Sequence, residues 1–240
     1  MPIFNRNLLS KIFPNYVNIF ELVNNNVLFQ NTITKSIENC KVLPKRTKHD
    51  YFQSINDEIL KNKSIDYFEF GVYEGGTILD WPVINTNPNS RFFAFDKFPP
   101  KYPIPKIDDS RVSFIKGMFH ETLSNFLKTF IPKSRIVVFI NINKYPETLF
   151  CLTQLDAVLP PGSLVMFDQF GNLQGEFVAF YDYIKSYKRN YSFVCQTENW
   201  KKTTVELLDK SSMIKPSEKL QQYNVYSKKS ETEKIKKKLT

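Results

Sequence analysis

Carboxylates and glycines crowd one stretch of this sequence, Glu69-Phe70-Gly71-Val72-Tyr73-Glu74-Gly75-Gly76-Thr77. Glycines let a backbone turn tightly and come close to a ligand, and carboxylates at such a turn favour a positively charged guest. Asp96 follows 25 residues after Gly71, at the end of a second apolar run. An acid there can accept two hydrogen bonds from a ribose diol. A glycine turn with a downstream acid is the pattern for an adenosine-containing cofactor. A dinucleotide would require G-x-G-x-x-G, so that its pyrophosphate rests on a helix N-terminus. The spacing here is G-x-x-x-G-G, with Glu69 before it and Glu74 inside it. These carboxylates would repel a diphosphate but pair with an ammonium or a sulfonium, so the pattern favours S-adenosylmethionine over a nicotinamide dinucleotide. The Walker phosphate loop is absent.

The elements that must position these residues follow from hydrophobic periodicity. Apolar runs at Ile65–Phe70, Arg91–Phe95, Val112–Ile115, Arg135–Ile142 and Ser163–Phe167 read as strands, ending at the glycine turn, Asp96, Gly117, Asn141 and Asp168. The fourth is almost wholly apolar, as expected of a strand buried on both faces. Helical patterns fall at 121–130, 147–158 and 175–188, and Tyr191–Gln196 with Thr203–Leu208 reads as a closing antiparallel pair. Alternating strands and helices predict a mostly parallel, seven-stranded Rossmann-like α/β sheet covered on both faces. Its ligand would sit beyond the carboxyl ends of the strands. Segment 97–110 has four prolines in seven residues and reads as an exposed loop placed to fold over that site, with Tyr102 offered to a pocket. Residues 1–62 read as a helical extension: Leu8, Leu9, Ile12 and Phe13 recur at helical spacing, then Phe20, Val23, Val27 and Leu28, then an amphipathic helix at 49–62 with Phe52, Ile55 and Ile59 on one face. The expected organisation is therefore a helical N-terminal part over 1–62, a cofactor-binding domain over 63–212 and a basic tail over 213–240.

Bulk properties exclude several classes. The chain has 240 residues, 42% hydrophobic and 24% charged, in the range of a globular domain with a substantial core. No apolar run approaches the roughly 18 residues that span a bilayer, and the N-terminus lacks the apolar core of a signal peptide. Three distant cysteines, with no C-x-x-C, argue against a disulfide framework or a zinc site and fit a reducing compartment. The expectation is a cytoplasmic protein without a membrane partner. The net charge is +9, but residues 227–240 hold six lysines and two glutamates and supply +4 of it. A solvated tail explains that better than a nucleic-acid surface. Oligomeric state is not readable, and a homo-oligomer stays open.

Taken in order, DYFEFGVYEGGT, FFAFD, VSFIKGMFHETLSNFL, VVFININKYPETLFCLTQLDAVLPPGSLVMFDQF and GEFVAFYDYI resemble the macrocin O-methyltransferase family, over about residues 65 to 185. The resemblance implies a class I S-adenosylmethionine-dependent fold with a helical N-terminal part, acting on a sugar hydroxyl or a related small polar acceptor. Carried over by motif, Glu69, Gly71, Tyr73, Gly75 and Thr77 would surround the methionine part of the cofactor, Asp96 the ribose, and Gly117, Met118 and Phe119 the adenine. Asn141 would lie where cofactor and acceptor meet. The chain departs from the family at Asn141, Asn143 and Gln169, where the pattern has acids that include magnesium ligands. Amides bring no charge to a hard cation and cannot act as general bases, so a bound magnesium is not expected; Asp168 and Asn141 are the residues that could approach one. The proton acceptor would then be His120, which follows the third strand end, or Asp168. The alternatives are a domain that binds the cofactor without turnover and a methyltransferase acting on nucleic acid.

Overall fold

The structure, a computed structural model, describes residues 14–34, 40–43 and 47–210. The expectations for Leu8, Leu9, Ile12 and Phe13 and for the basic tail lie outside these residues. Helix α1 spans Pro14–Thr34, strand β1 Lys41–Leu43, and helix α2 Lys48–Ile55, which runs into a π-helical turn at Asn56–Leu60. Then come β2 (Ile65–Phe70), α3 (Gly76–Ile84), β3 (Arg91–Asp96), β4 (Val112–Lys116) and α4 (Phe119–Leu127). Strand β5 (Arg135–Ile140), α5 (Tyr145–Leu155), β6 (Leu164–Phe167), α6 (Glu176–Ser186), β7 (Arg189–Thr197) and β8 (Thr203–Lys210) complete the order.

The strands form one sheet in the order β1-β7-β8-β6-β5-β2-β3-β4. From β4 through β6 the neighbours are parallel, and β8 joins β6 antiparallel. The sheet has eight strands where seven were expected. The extra one is β1, whose Lys41, Val42 and Leu43 pair in parallel with Cys195, Gln196 and Thr197 of β7. The N-terminal part is thus not only helical: it contributes a strand to the sheet. Three residues without alternation carry almost no periodic signal.

Period-two alternation sends side chains to opposite faces. Phe68, Phe70, Phe93, Phe95, Val138 and Phe167 pack on one face with α4, α5 and α6, while Tyr67, Phe92, Ala94, Val137 and Phe139 pack on the other with α2 and α3. The abundant phenylalanines therefore fill two dry layers, and each fully buried one contributes roughly 1.5–3 kcal/mol. Charge enters this interior at Asp66, which Arg91 meets bidentately at 2.7 and 2.9 Å while the amides of Lys133 and Ser134 donate to it.

Helix α1 turns a different side inward from the one its apolar spacing suggested. Asn25, Phe29 and Ile33 are buried, whereas Val23 and Val27 are about half exposed. The reason is polar as well as apolar: the Asn25 amide donates to the Leu173 carbonyl at 2.8 Å. In α2 the expected face also shifts. The π turn advances the register, so Leu60 is buried while Ile59 is only partly so. Asn56 anchors that turn, donating to the Ile84 carbonyl at 3.0 Å and accepting from the Asn85 amide at 2.9 Å.

Candidate functional site

The strand order reverses between β2 and β5, and open α/β sheets bind ligands at such a crevice. Register aligns the carboxyl ends: Phe70 lies beside Phe95 and Ile140, and Ile140 beside Phe167. The segments leaving these strands therefore converge at one rim.

Asp96 builds the first wall. One carboxylate oxygen accepts the amides of Val72 and Tyr73 at 2.8 and 3.0 Å, and the other accepts the Lys97 amide at 2.6 Å. This acid thus folds the glycine corner. The second oxygen keeps a lone-pair direction for a ligand hydroxyl. Tyr73 sits at φ 55°, a left-handed conformation uncommon outside glycine, and the hydrogen bond its backbone N–H donates to Asp96 holds it there.

Gly71 and Asn141 tie the reversal point together. Gly71 has φ +90°, and a Cβ there would overlap the Asn141 carbonyl. The Asn141 side-chain amide donates back to the Gly71 carbonyl at 2.9 Å. An aspartate has no hydrogen to give, so an amide at this position has a structural reason. Asn143 sits at φ 56°, accepts from Asn172 through its side-chain oxygen and donates its backbone amide to Glu176, contacts an aspartate could also make.

A cavity of about 760 Å³ opens at this rim. Gly71, Tyr73, Asp96 and Asn141 line one side; Gly117, Met118, Phe119 and His120, at the β4 end and the start of α4, line the other. Eight residues expected from the sequence thus come together. The sequence reading missed Lys144, Pro146, Glu147 and Phe150, which enter the wall from the start of α5. Their position directly after the β5 end was the available signal. A second cavity of about 550 Å³ lies on the other side of the glycine corner, bounded by the start of α2 and by α3, and it shares Tyr73 and Asn141 with the first. Thr77 belongs to this second cavity, and Gly75 is covered by Pro105 of the proline loop. Tyr102 lines the first cavity, with its hydroxyl 2.8 Å from that of Tyr73 and the ring centroids 4.2 Å apart. The proline loop therefore roofs the site.

Glu69 and Asp168 lie outside both cavities. Glu69 is fully buried on β2; burial pushes its carboxyl up to about 8, against the Tyr67 hydroxyl, which donates to it at 3.0 Å, and the nearby Lys48. Among the described residues its other oxygen has no hydrogen-bond partner. Asp168 is buried between Lys48 and Lys202, whose ammonium groups stand 3.2 and 3.1 Å from the same oxygen. Burial alone would raise this carboxyl, but the two cations outweigh it and hold it below the usual carboxylate range. Glu176, buried at the start of α6, accepts the amides of Gln169 and Asn143 and so ties the ends of β6 and β5. Burial raises it as well, to about 8.

These neighbours bear on a metal. A dication beside Asp168 would face two ammonium groups already in place, and the Asn141 amide is engaged with Gly71. Among the described residues, no group of three His, Cys, Asp or Glu side chains could hold a metal ion. The residues present do not fit magnesium. His120 is exposed in the first turn of α4, and the carboxylate closest to it is that of its neighbour Glu121, at 3.9 Å.

No protein-family model matches the chain, and no curated protein does. Solved structures do. CalS11, a TDP-rhamnose 3'-O-methyltransferase of calicheamicin biosynthesis, in its apo form, is 18% identical, with a TM-score of 0.53 over 83% of this chain and 92% of that one. The O-methyltransferase NovP is 15% identical, with a TM-score of 0.53 over 68% of this chain and 80% of that one. At such identities the likeness is one of fold: the chain has the Rossmann-like fold of these O-methyltransferases. No described helix is long and apolar enough to cross a membrane.

Proposed function

We propose that the protein is an S-adenosylmethionine-dependent O-methyltransferase of the macrocin-like kind, acting on a hydroxyl of a sugar or a related small polar metabolite. One observation carries this reading: the cavity of about 760 Å³ at the strand-order reversal, walled by the Gly71 corner, Asp96 and Gly117–His120. Its size suits a nucleoside-sized ligand. Asp96 offers its remaining acceptor capacity to a ribose, and Met118 and Phe119 offer apolar surface to an adenine. Tyr73 and Asn141 border the neighbouring cavity, where an acceptor would approach.

The cofactor supplies a methyl group on a cationic sulfur. The chain supplies position. Gly71 and Asn141 tie a seam between the two cavities, and Tyr102 and Pro105 of the proline loop partly cover the glycine corner. Alignment of this kind accounts for much of the acceleration of a displacement between two bound partners. No step through a metal is part of this reading, because Lys48 and Lys202 hold the Asp168 charge.

Isothermal titration calorimetry with S-adenosylhomocysteine tests the proposal. Uptake of about one equivalent is expected, weakened at least tenfold, or roughly 1.4 kcal/mol, in Asp96→Ala, with circular dichroism showing that the variant remains folded. Absence of binding by the folded wild-type protein refutes it. A second reading, cofactor binding without turnover, draws on the lysine-bound state of Asp168. The same titration followed by assay of S-adenosylhomocysteine release with hydroxylated acceptors separates the two.

A further inference from the structure

We propose that the second cavity, between the start of α2 and α3, receives the acceptor, and that His49 takes the acceptor's hydroxyl proton there with Asp80 orienting it. This rests on the methyltransferase reading above and deepens it.

The chain has two histidines. Among the described residues, the carboxylate near His120 is that of its neighbour Glu121, at 3.9 Å. His49 stands differently. Its Nδ1 lies 3.4 Å from Asp80 Oδ1, and both residues line the second cavity. With Nδ1 turned to the carboxylate, Nε2 across the ring is left for a ligand. A base whose far nitrogen is held by an acid is the arrangement that fixes tautomer and balances the imidazolium. Such contacts are often loose before ligand binding and shorten in the complex.

Both carriers are anchored by hydrogen bonds or burial. A capping box fixes the start of α2: Thr47 Oγ1 accepts the Asp50 amide, and the Asp50 carboxylate accepts the Thr47 amide, both at 3.2 Å. Tyr51 and Phe52 then bury the helix. On α3, Trp81 directly follows Asp80, is fully buried and stacks at a tilt on Tyr67, 4.9 Å between centroids. The other charged groups at this cavity are Lys48, already engaged by Asp168, and Glu74 of the glycine corner. The cavity meets the first one at Tyr73 and Asn141, so an acceptor beside His49 lies next to the proposed cofactor chamber.

The step balances. The acceptor oxygen bonds to the methyl carbon as the carbon–sulfur bond breaks, and that electron pair stays on sulfur, leaving a neutral thioether. The hydroxyl proton passes to His49 Nε2, and Asp80 balances the resulting charge.

Two measurements test this. Nitrogen-15 spectra of the imidazoles, with the His49 signals assigned by their loss in His49→Gln, report the tautomer directly. The neutral ring is expected to carry its proton on Nδ1 in the wild type and to shift toward the Nε2–H form in Asp80→Asn. A wild-type Nε2–H ring, or a tautomer indifferent to Asp80→Asn, overturns the proposal. Turnover is followed as S-adenosylhomocysteine release with a panel of methyl glycosides and nucleotide-linked sugars. His49→Gln is expected to cut it by about 10²–10⁴-fold while S-adenosylhomocysteine affinity is unchanged. Undiminished turnover in His49→Gln overturns the role of His49 and leaves the methyltransferase reading standing. Failure of the wild type to bind S-adenosylhomocysteine instead removes that reading, and the tautomer spectra still decide whether the histidine–aspartate pair exists.

Discussion

Replacing Asn141 by aspartate removes the only hydrogen its side chain gives to the Gly71 carbonyl and sets a carboxylate against that oxygen. The expected cost is about 1–3 kcal/mol, read as a lower midpoint in urea unfolding, together with weaker uptake of S-adenosylhomocysteine. An unchanged midpoint would mean that the seam between β2 and β5 does not depend on this bond. At this scale much of the candidate site was legible from strand ends, though Asp168, at the end of β6, lies outside both cavities. Gly71, Tyr73, Asp96, Gly117 and Asn141 could be placed because strand ends follow from apolar runs, and they do line the cavity. What could not be read was partnership. Nothing in the sequence joins Lys48 and Lys202 to Asp168, because those contacts cross long stretches of chain. The pairing of His49 with Asp80 is hidden for the same reason.

Helix α1 shows how an element can mislead. Val23 and Val27 fit an apolar stripe, yet both are about half exposed, and Phe29 is the residue that enters the core. Its ring meets Phe177 edge-on, 4.9 Å between centroids, and also lies near Phe170 and Trp200. Phe29→Ala is expected to cost about 3 kcal/mol, and Val27→Asp to stay within about 0.5 kcal/mol. Chemical unfolding of the two variants checks both, and the reverse ranking would contradict the observed face. The central strands were legible because each is a short, nearly continuous apolar run. Helix α3 was not. It is mostly apolar, with Asp80 its one charge, and holds Pro82, so it offers neither a clear amphipathic period nor an uninterrupted helical composition. The π turn after α2 was equally hidden, since its cause is the distant pairing of Asn56 with Asn85 and Ile84.

For the molecule as a whole, Glu69 and Glu176 make folding depend on proton uptake. Both carboxyls are raised to about 8 in the folded chain by burial, from 4.5 in the exposed chain. Between those values the folded state binds more protons than the unfolded one, so stability falls as pH rises. The contribution is complete below about 4.5 and is lost through about 8, at roughly 1.4 kcal/mol for each unit of displacement. Asp168, displaced downward, acts in the opposite sense, but only at more acid pH, where it begins to protonate. Scanning calorimetry should therefore give a lower melting temperature at pH 8.5 than at pH 6, with a shallower decline in Glu69→Gln; equal slopes in the two proteins would show that Glu69 is ionised throughout. The roof over the larger chamber has a consequence of its own. Among the described residues its polar fastening to the glycine corner is one hydroxyl pair, Tyr73 with Tyr102, set among exposed side chains where water competes for both partners. Such a latch is worth about 0.5–1.5 kcal/mol net, little more than thermal energy. Traffic through this doorway is then governed by how often the hatch swings open and not by how tightly it shuts, and Tyr102→Phe would quicken entry and exit alike while leaving the resting occupancy almost untouched.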